Sequence, residues 1–295
     1  MTKQLIWTTL TALLLSSAAL AAAVPDPLPQ AQHDHQNHVV PGLGDAWTSA
    51  PLLNKAPGRS RTVALLKVQG IQAAAMQALP ATEEGEGELA IEVPLQDGKG
   101  AVRARGARQG GWYRVIADSA DGLSRAGTVV YFSNPGPAPR HMLQAVQPGL
   151  DLSPQKLPRE HWKFRANETW PFTLRRDGQP LADQVVLFET ASGQRQQLRT
   201  DAHGVLQLTF PDDFRDPAVA PAGHAGHGGQ PSTEFVLSVQ LTRADGASET
   251  AAFNYKYYPG PFNGKSLWLG GGFALLGMVF ALPLVIRREA RGGVA

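Results

Sequence analysis

Residues 172–188 read Phe-Thr-Leu-Arg-Arg-Asp-Gly-Gln-Pro-Leu-Ala-Asp-Gln-Val-Val-Leu-Phe, and this stretch decides the fold class. Phe172 and Leu174 stand two residues apart, as they do when alternate side chains of a strand face one core. The pair Asp177-Gly178 is typical of a tight hairpin turn, in which both central residues need a positive φ. A second apolar run follows at 185–188. The pattern predicts two core strands on either side of a tight turn.

The same period of two continues towards residue 258. Apolar side chains alternate with polar ones in three further runs: Leu206, Leu208 and Phe210; Phe235, Leu237, Val239 and Leu241; Phe253, Tyr255 and Tyr257. Turn residues separate the runs, which favours antiparallel β structure. The segment from Pro211 to Ser232 interrupts this series with a Gly-rich loop too long for a simple hairpin, and such loops are often functional or disordered.

Residues 61–133 show a second set of strand patterns. Alternating apolar residues precede a predicted turn at Asp97-Gly98: Leu89, Ile91, Val93 and Leu95. The runs 112–116 and 128–132 are predicted to form a closing hairpin. Only Ile71 to Leu79 has a clear helix propensity, and Pro80 would end that helix. Short strands separated by glycines predict a small β-sandwich.

The best internal boundary is the proline-rich segment 134–140, because three prolines within it favour an extended linker. It divides a first module, residues 61–133, from a second module, residues 141–259. Residues 24–60 are rich in Pro, Gly, Gln and His and are predicted to form a flexible leader.

Both ends of the chain carry membrane-targeting patterns. Lys3 and an apolar run precede small residues near position 23, which is the layout of a secretory signal peptide over residues 1–23. Residues 266–286 form a stretch of 21 residues without a charge, long enough for a transmembrane helix. The arginines of residues 287–295 mark that tail as cytoplasmic. The sequence predicts a single-pass protein of the bacterial inner membrane, with its C-terminus in the cytoplasm and its body in the periplasm.

Composition excludes several kinds of site. The chain contains no cysteine, so disulfides, cysteine nucleophiles and thiolate metal sites are impossible. Without the charged residues of the two ends, 23 basic and 24 acidic residues remain. A body so close to neutral argues against a nucleic-acid partner, which would need a concentrated basic surface.

Five of the eight histidines fall in two short clusters. The leader carries His33, His35 and His38, and the long loop carries His224 and His227. Imidazoles close together on a flexible chain can bind Ni, Co, Cu or Zn. The sequence therefore predicts these five residues as ligands of a transition metal ion, although such tracts can also be merely solvated.

The other three histidines give weaker indications of a metal site. His141-Met142 would suit reduced copper, but a histidine without a role is the simpler interpretation. His161 is expected to pack beside Trp162, and His203 to lie in a tight turn in which Asp201 caps and Gly204 has a positive φ. We find none of the usual hydrolase, metalloprotease or phosphate-loop motifs, and we expect no catalytic residue and no enzyme activity.

The second module carries a recognisable signature: Asp177-Gly-Gln-Pro-Leu, then Val185, and later Thr200-Asp-Ala-His-Gly. This resembles bacterial β-sandwich modules of the carboxypeptidase-regulatory-like and DUF4198 families over roughly residues 140–258. The resemblance implies an exported protein whose relatives include accessories of nickel and cobalt uptake. Those relatives tend to place a histidine very near the mature N-terminus, whereas here the first is His33.

Two hypotheses follow from these observations. The fold is expected to be mainly β, with two Ig-like antiparallel β-sandwich modules and one C-terminal transmembrane helix. In the first hypothesis the protein binds a transition metal through its histidine clusters and serves a metal transporter in the inner membrane. In the second it is a non-catalytic interaction module of an envelope complex, and the histidines are incidental.

Overall fold

The computed structural model describes residues 47–56, 60–81, 90–105, 111–132, 136–158, 163–214, 231–261, 275–278 and 280–281. The predicted signal peptide, most of the predicted leader and the predicted tail lie outside the described residues. Within them the chain is mainly β.

Seven strands come from the first half of the chain. They are β1 (Leu52–Lys55), β2 (Val63–Gln69), β3 (Ala75–Pro80), β4 (Ile91–Pro94), β5 (Lys99–Arg103), β6 (Gly111–Asp118) and β7 (Ser124–Phe132).

One short helix and nine strands follow. They are α1 (Arg140–Gln144), β8 (Leu150–Pro154), β9 (Phe164–Arg165), β10 (Thr169–Arg176), β11 (Gln179–Pro180), β12 (Val185–Thr190), β13 (Arg195–Arg199), β14 (Val205–Thr209), β15 (Thr233–Thr242) and β16 (Ser248–Tyr258).

A nine-stranded sheet, which we call the central sheet, runs through the molecule. Its order is β13-β12-β15-β16-β7-β6-β3-β4, and β9 also pairs with β16. Strands β7 and β16 pair in parallel, with Ser124 opposite Thr250 and Gly127 opposite Phe253. The central sheet therefore takes strands from both sides of the predicted boundary at 134–140.

Two smaller sheets cover opposite faces of the central sheet. Strands β1, β2 and β5 form one of them, and strands β8, β10, β11 and β14 form the other. Strand β6 shows the layering: Trp112 and Ile116 belong to the core shared with β8 and β10, whereas Tyr113 and Val115 belong to the core shared with β1 and β2. Alternate residues of one strand point to opposite faces, so the described body has three β layers.

Aromatic rings fill the larger of the two cores. Phe235 lies at its centre, fully buried, with the ring centroid of Phe210 at 4.9 Å and that of Phe164 at 6.0 Å. Tyr257 stacks on Phe210, and its hydroxyl donates to the carboxylate of buried Asp213. The larger core thus contains the alternating apolar residues predicted for the second module.

The predicted Asp-Gly turns are confirmed. Asp97 and Gly98 have φ angles of 50° and 70° between β4 and β5. Asp177 and Gly178 have φ angles of 51° and 79° between β10 and β11. Positive φ at both central residues is the geometry of the type I′ turn.

One local prediction is wrong. Residues Ile71 to Leu79 do not form a helix, because Ala75–Pro80 is strand β3. It pairs with β4 on one side and β6 on the other. Two sets of cross-strand contacts outweigh the modest helix propensity of three consecutive alanines.

The predicted transmembrane segment is described only in part. Residues 275–278 and 280–281 are helical, and their large apolar side chains are exposed. Among the described residues, no helix is both long enough and apolar enough to span a bilayer.

We predict that Gly204→Ala destabilises the protein far more than Gly246→Ala. Both glycines have a positive φ, 69° and 85°. A Cβ at Gly204 would lie 2.7 Å from the Leu174 carbonyl oxygen and 2.9 Å from the Leu181 nitrogen, whereas nothing lies within 4 Å at Gly246. The left-handed conformation costs an alanine about 1–2 kcal/mol at either site, and the backbone overlap at Gly204 adds to that cost. Equal losses of unfolding free energy in urea would contradict the described turn.

Candidate functional site

The five predicted metal ligands cannot be placed. His33, His35 and His38, and likewise His224 and His227, lie outside the described residues. Among the residues that the structure does describe, no group of three or more His, Asp or Glu side chains could hold a metal ion.

Two other histidines have described positions. His141 is exposed on α1, while the adjacent Met142 is fully buried in the larger core. The exposed His141 and the buried Met142 side chains point apart, so this pair is not arranged to bind one copper ion together. His161 lies outside the described residues.

The turn around His203 has the predicted geometry. The Asp201 carboxylate accepts hydrogen bonds from the backbone nitrogens of Val205 and His203 at 2.9 and 2.8 Å. These hydrogen bonds hold the pKa of the Asp201 carboxyl below its usual value. His203 itself is exposed, so the turn explains the local sequence without any ligand.

A cleft of about 360 Å³ lies in the described body. Its walls come from the start of β6, the end of β7, the segment 136–143 and the segment 155–158. The lining is rich in aromatic and proline side chains: Trp112, Tyr131, Pro137, Pro139 and Pro158, with Leu143 and Leu157. We call it the proline cleft. Its volume lies at the lower end of the range of ligand sites, about 300–1,000 Å³.

Two aromatic rings form the floor of the proline cleft. The ring centroids of Trp112 and Tyr131 lie 4.9 Å apart at an angle of 57°. Trp112 is only 5% exposed and is further packed against Tyr255, with ring centroids 6.5 Å apart. The Trp112 ring is thus held rigidly, and Tyr131 is the more accessible of the two.

One wall of the cleft depends on a close backbone approach. Gly111 has a φ of 92°, and a Cβ at this position would lie 3.2 Å from the Cα of Gly136. Two glycines therefore bring the start of β6 against the proline-rich segment. The predicted linker 134–140 contributes residues 136–140 to the cleft wall.

The cleft rim is basic. Arg140 and Lys156 are both exposed and both line the cleft, whereas none of the described lining residues is acidic. Such a rim attracts an acidic group to the mouth of an otherwise apolar cleft.

A buried ion pair sets the distance between two of the walls. Arg114 lies two residues after Trp112 on β6, and Asp151 lies on β8, which ends directly before the wall 155–158. The Arg114 guanidinium donates to the Asp151 carboxylate, and both side chains are 3% exposed. Breaking such a pair leaves a buried charge without a partner, so β6 and β8 are strongly held together.

A second arginine completes this network. Arg125 on β7 makes a two-point contact with Asp118 at 2.6 and 3.0 Å, and its Nη1 lies 4.0 Å from Asp151. The network thus connects β6 and β7 to β8 across the predicted module boundary. Sequence patterns missed it, since isolated charges within strands give no sign of their partners.

Comparisons with known proteins give no family. No family model matches the chain, and no curated protein matches it. Among solved structures, the chain is similar to a tetra-tandem repeat from the extending region of a large adhesion protein. The similarity covers 70% of this chain and 49% of that chain, with 12% sequence identity and a TM-score of 0.22.

Two further structures are comparable. A Ca²⁺-stabilised, ice-binding adhesin of an Antarctic bacterium has 12% identity over 72% of this chain and 49% of its own, with a TM-score of 0.24. The four N-terminal Ig domains of a Dscam1 isoform have 10% identity over 72% of this chain and 46% of their own, with a TM-score of 0.19. The chain spans about half the length of these structures. TM-scores this low do not establish a shared fold, and nothing about the function of this chain follows from them.

We predict that Arg114→Met lowers the free energy of unfolding by roughly 3–5 kcal/mol, because the buried Asp151 then loses its hydrogen-bonded partner and keeps only Arg125 Nη1 at 4.0 Å. The double variant Arg114→Met/Asp151→Leu should recover most of the loss, since neither charge remains. Urea unfolding of the single and the double variant measures the two changes in the free energy of unfolding.

Arg199→Met is the matched control. Arg199 pairs with Asp183 at the surface, where the side chains are 59% and 80% exposed, so the expected change is within about 0.5 kcal/mol. A loss at Arg114 no larger than that at Arg199 would show that the ion pair does not hold β6 to β8.

Proposed function

We propose that this protein is a non-catalytic interaction module of the bacterial cell envelope. The observation that carries the proposal is the proline cleft, an apolar cleft with an aromatic floor and a basic rim. The partner would be an extended protein segment that carries prolines and an acidic residue.

The chemistry of the cleft suits such a segment. A polyproline II chain exposes flat, apolar proline faces, and aromatic-lined grooves bind it at a low entropic cost because it is already extended. Tyr131 supplies the more accessible aromatic surface, and the nearly buried Trp112 packs against it. Arg140 and Lys156 would then select an acidic residue beside the prolines and fix the direction of the chain.

The scaffold supports this role because it holds the cleft in one shape. The buried Arg114–Asp151 pair connects the strands that bear two of the walls. Rigid walls lower the entropic cost of binding an extended chain.

The membrane location is part of the same proposal. We propose that residues 266–286 form a single transmembrane helix, with the C-terminus in the cytoplasm and the three-layered β body in the periplasm. The exposed apolar residues of the described helical part support this placement: Leu275, Leu276, Met278 and Phe280 are 53–74% exposed. Apolar side chains on a helix surface suit a lipid environment.

The cleft is tested with two synthetic peptides that share a Pro-x-x-Pro core and differ in carrying Asp or Lys beside it. We predict that the full chain prefers the acidic peptide and that Arg140→Glu/Lys156→Glu weakens its binding by roughly tenfold or more, because both rim charges are reversed. Fluorescence anisotropy of the labelled peptides measures the affinities.

The matched control is Arg199→Glu/Arg243→Glu, which reverses two exposed charges away from the cleft. This variant should bind the acidic peptide like the wild type. Absence of binding by the wild type, or an equal loss in both double variants, would contradict the cleft as the binding site.

A second candidate function rests on the histidine clusters. We propose it because His33, His35 and His38 fall within six residues and His224 and His227 within four, a spacing at which neighbouring imidazoles can bind the same ion. The bound ion would be Ni, Co, Cu or Zn, and the partner a metal transporter of the inner membrane, as the DUF4198 resemblance implies.

Calorimetric titration of the untagged full chain with Ni(II), Co(II), Cu(II) and Zn(II) tests this second function. We predict tight one-to-one binding that is lost when all five histidines are replaced by Ala, because no imidazole of either cluster remains. The double variant His141→Ala/His203→Ala, which changes two exposed histidines outside the clusters, should retain it. Equal affinity in the parent and the five-histidine variant would exclude the clusters as the site.

A further inference from the structure

Positive charges gather at the end of β16. Lys256 and Tyr258 alternate with Tyr257, which faces the larger core, so both lie on the opposite face of the central sheet. Strand β9 pairs in parallel here, with Arg165 opposite Tyr258 and buried Phe164 opposite Tyr257. Arg165 therefore lies on the same face as Lys256.

Two more lysines join this face. The Lys163 ammonium lies 4.6 Å from the centroid of the Tyr258 ring, and that of Lys256 lies 5.4 Å from it. Lys55 ends β1, which is held over this face because the Asn254 side chain accepts from the Leu53 nitrogen at 2.8 Å. We call Lys55, Lys163, Arg165, Lys256 and Tyr258 the basic patch.

The cations of the basic patch repel one another. Burial, followed by the charge of Lys256, lowers the pKa of Lys55. Burial, followed by the charges of Arg165 and Lys256, lowers the pKa of Lys163. Among the described residues, the acidic Glu234 lies opposite Lys256 in the strand register. Four cations lie together on this face, so the patch is a place where an external anion would be stabilising.

The position of the patch indicates which anion it meets. Strand β16 ends at Tyr258, and only residues 259–265 separate it from Ser266, where the uncharged stretch begins. Eight residue steps span at most about 28 Å. The patch is thus tethered close to any membrane that contains residues 266–286.

We propose that the basic patch binds the anionic headgroups of phospholipids at the membrane surface. The proposal rests on the membrane location given under Proposed function. Ammonium and guanidinium groups would contact the phosphates, and Tyr258 would lie at headgroup depth, where amphipathic aromatic rings are favoured. Contact of the patch with headgroups would give the β body a second attachment to the bilayer besides the covalent connection to residues 266–286, and two attachments would orient the sheets relative to the membrane.

Lysine acylation on the full chain tests the proposal. The protein is reconstituted in nanodiscs of phosphatidylcholine alone or mixed with phosphatidylglycerol, and the acylation rate of each lysine is measured by mass spectrometry. We expect the rates of Lys55, Lys163 and Lys256 to fall about fivefold or more in the anionic discs, because contact both shields the amines and raises their pKa. The difference should disappear at high salt.

Variants show whether the patch itself is responsible. In Lys163→Gln/Lys256→Gln, the protection of Lys55 should be lost. In Arg199→Gln/Arg243→Gln, which removes two exposed cations outside the patch, it should persist. Equal acylation rates in the two disc types, or protection of Lys55 that survives the lysine variant, would overturn the proposal.

Failure of the membrane location is distinguishable from failure of the patch. A chain that does not incorporate into nanodiscs contradicts the transmembrane helix. The same protein is then mixed with vesicles of the two compositions and sedimented. Binding to phosphatidylglycerol vesicles that the lysine variant loses would support the patch on its own, and absence of binding would overturn it.

Discussion

The buried pair of Arg114 and Asp151 is the constraint on which the rest of the molecule depends. Each charge would be very costly in the core without the other, so any arrangement that separates β6 from β8 is strongly disfavoured. The two sequence modules must therefore remain in contact through these strands. The network also leaves the Nη1 atoms of Arg114 and Arg125 without a hydrogen-bond partner among the described atoms. The pair thus contributes more to the choice of one arrangement than to net stability.

The sequence predicted local geometry well and long-range pairing poorly. The two Asp-Gly turns and the Asp201–Gly204 turn follow from residues that are adjacent in the chain. The parallel pairing of β7 with β16 joins residues more than a hundred positions apart, and no turn or residue spacing in the sequence predicts it. The strand β3 was mistaken for a helix because its fold is set by two neighbouring strands rather than by its own alanines.

The candidate site was missed for a related physical reason. Three prolines close together favour an extended chain, and an extended chain was interpreted as a linker. The same stiffness makes residues 136–140 a good wall, since proline has little conformational freedom to lose on packing against Trp112 and Tyr131. The rim charges and the basic patch could not be found from sequence either, because Lys55, Lys163 and Lys256 meet only in the folded sheet.

The parallel pairing of β7 with β16 also fixes an order of events during synthesis. Strand β7 emerges with one unpaired edge and keeps it until residues 250–253 become available, close to the end of the body. Until then the first half exposes backbone groups to which another chain could add a strand. Pairing over so long a separation is slow, and no cysteine is present to hold the halves together in the meantime. The incomplete chain is therefore the form of this protein most prone to aggregation, and a nascent chain that stops before β16 should need a chaperone more than the finished protein does.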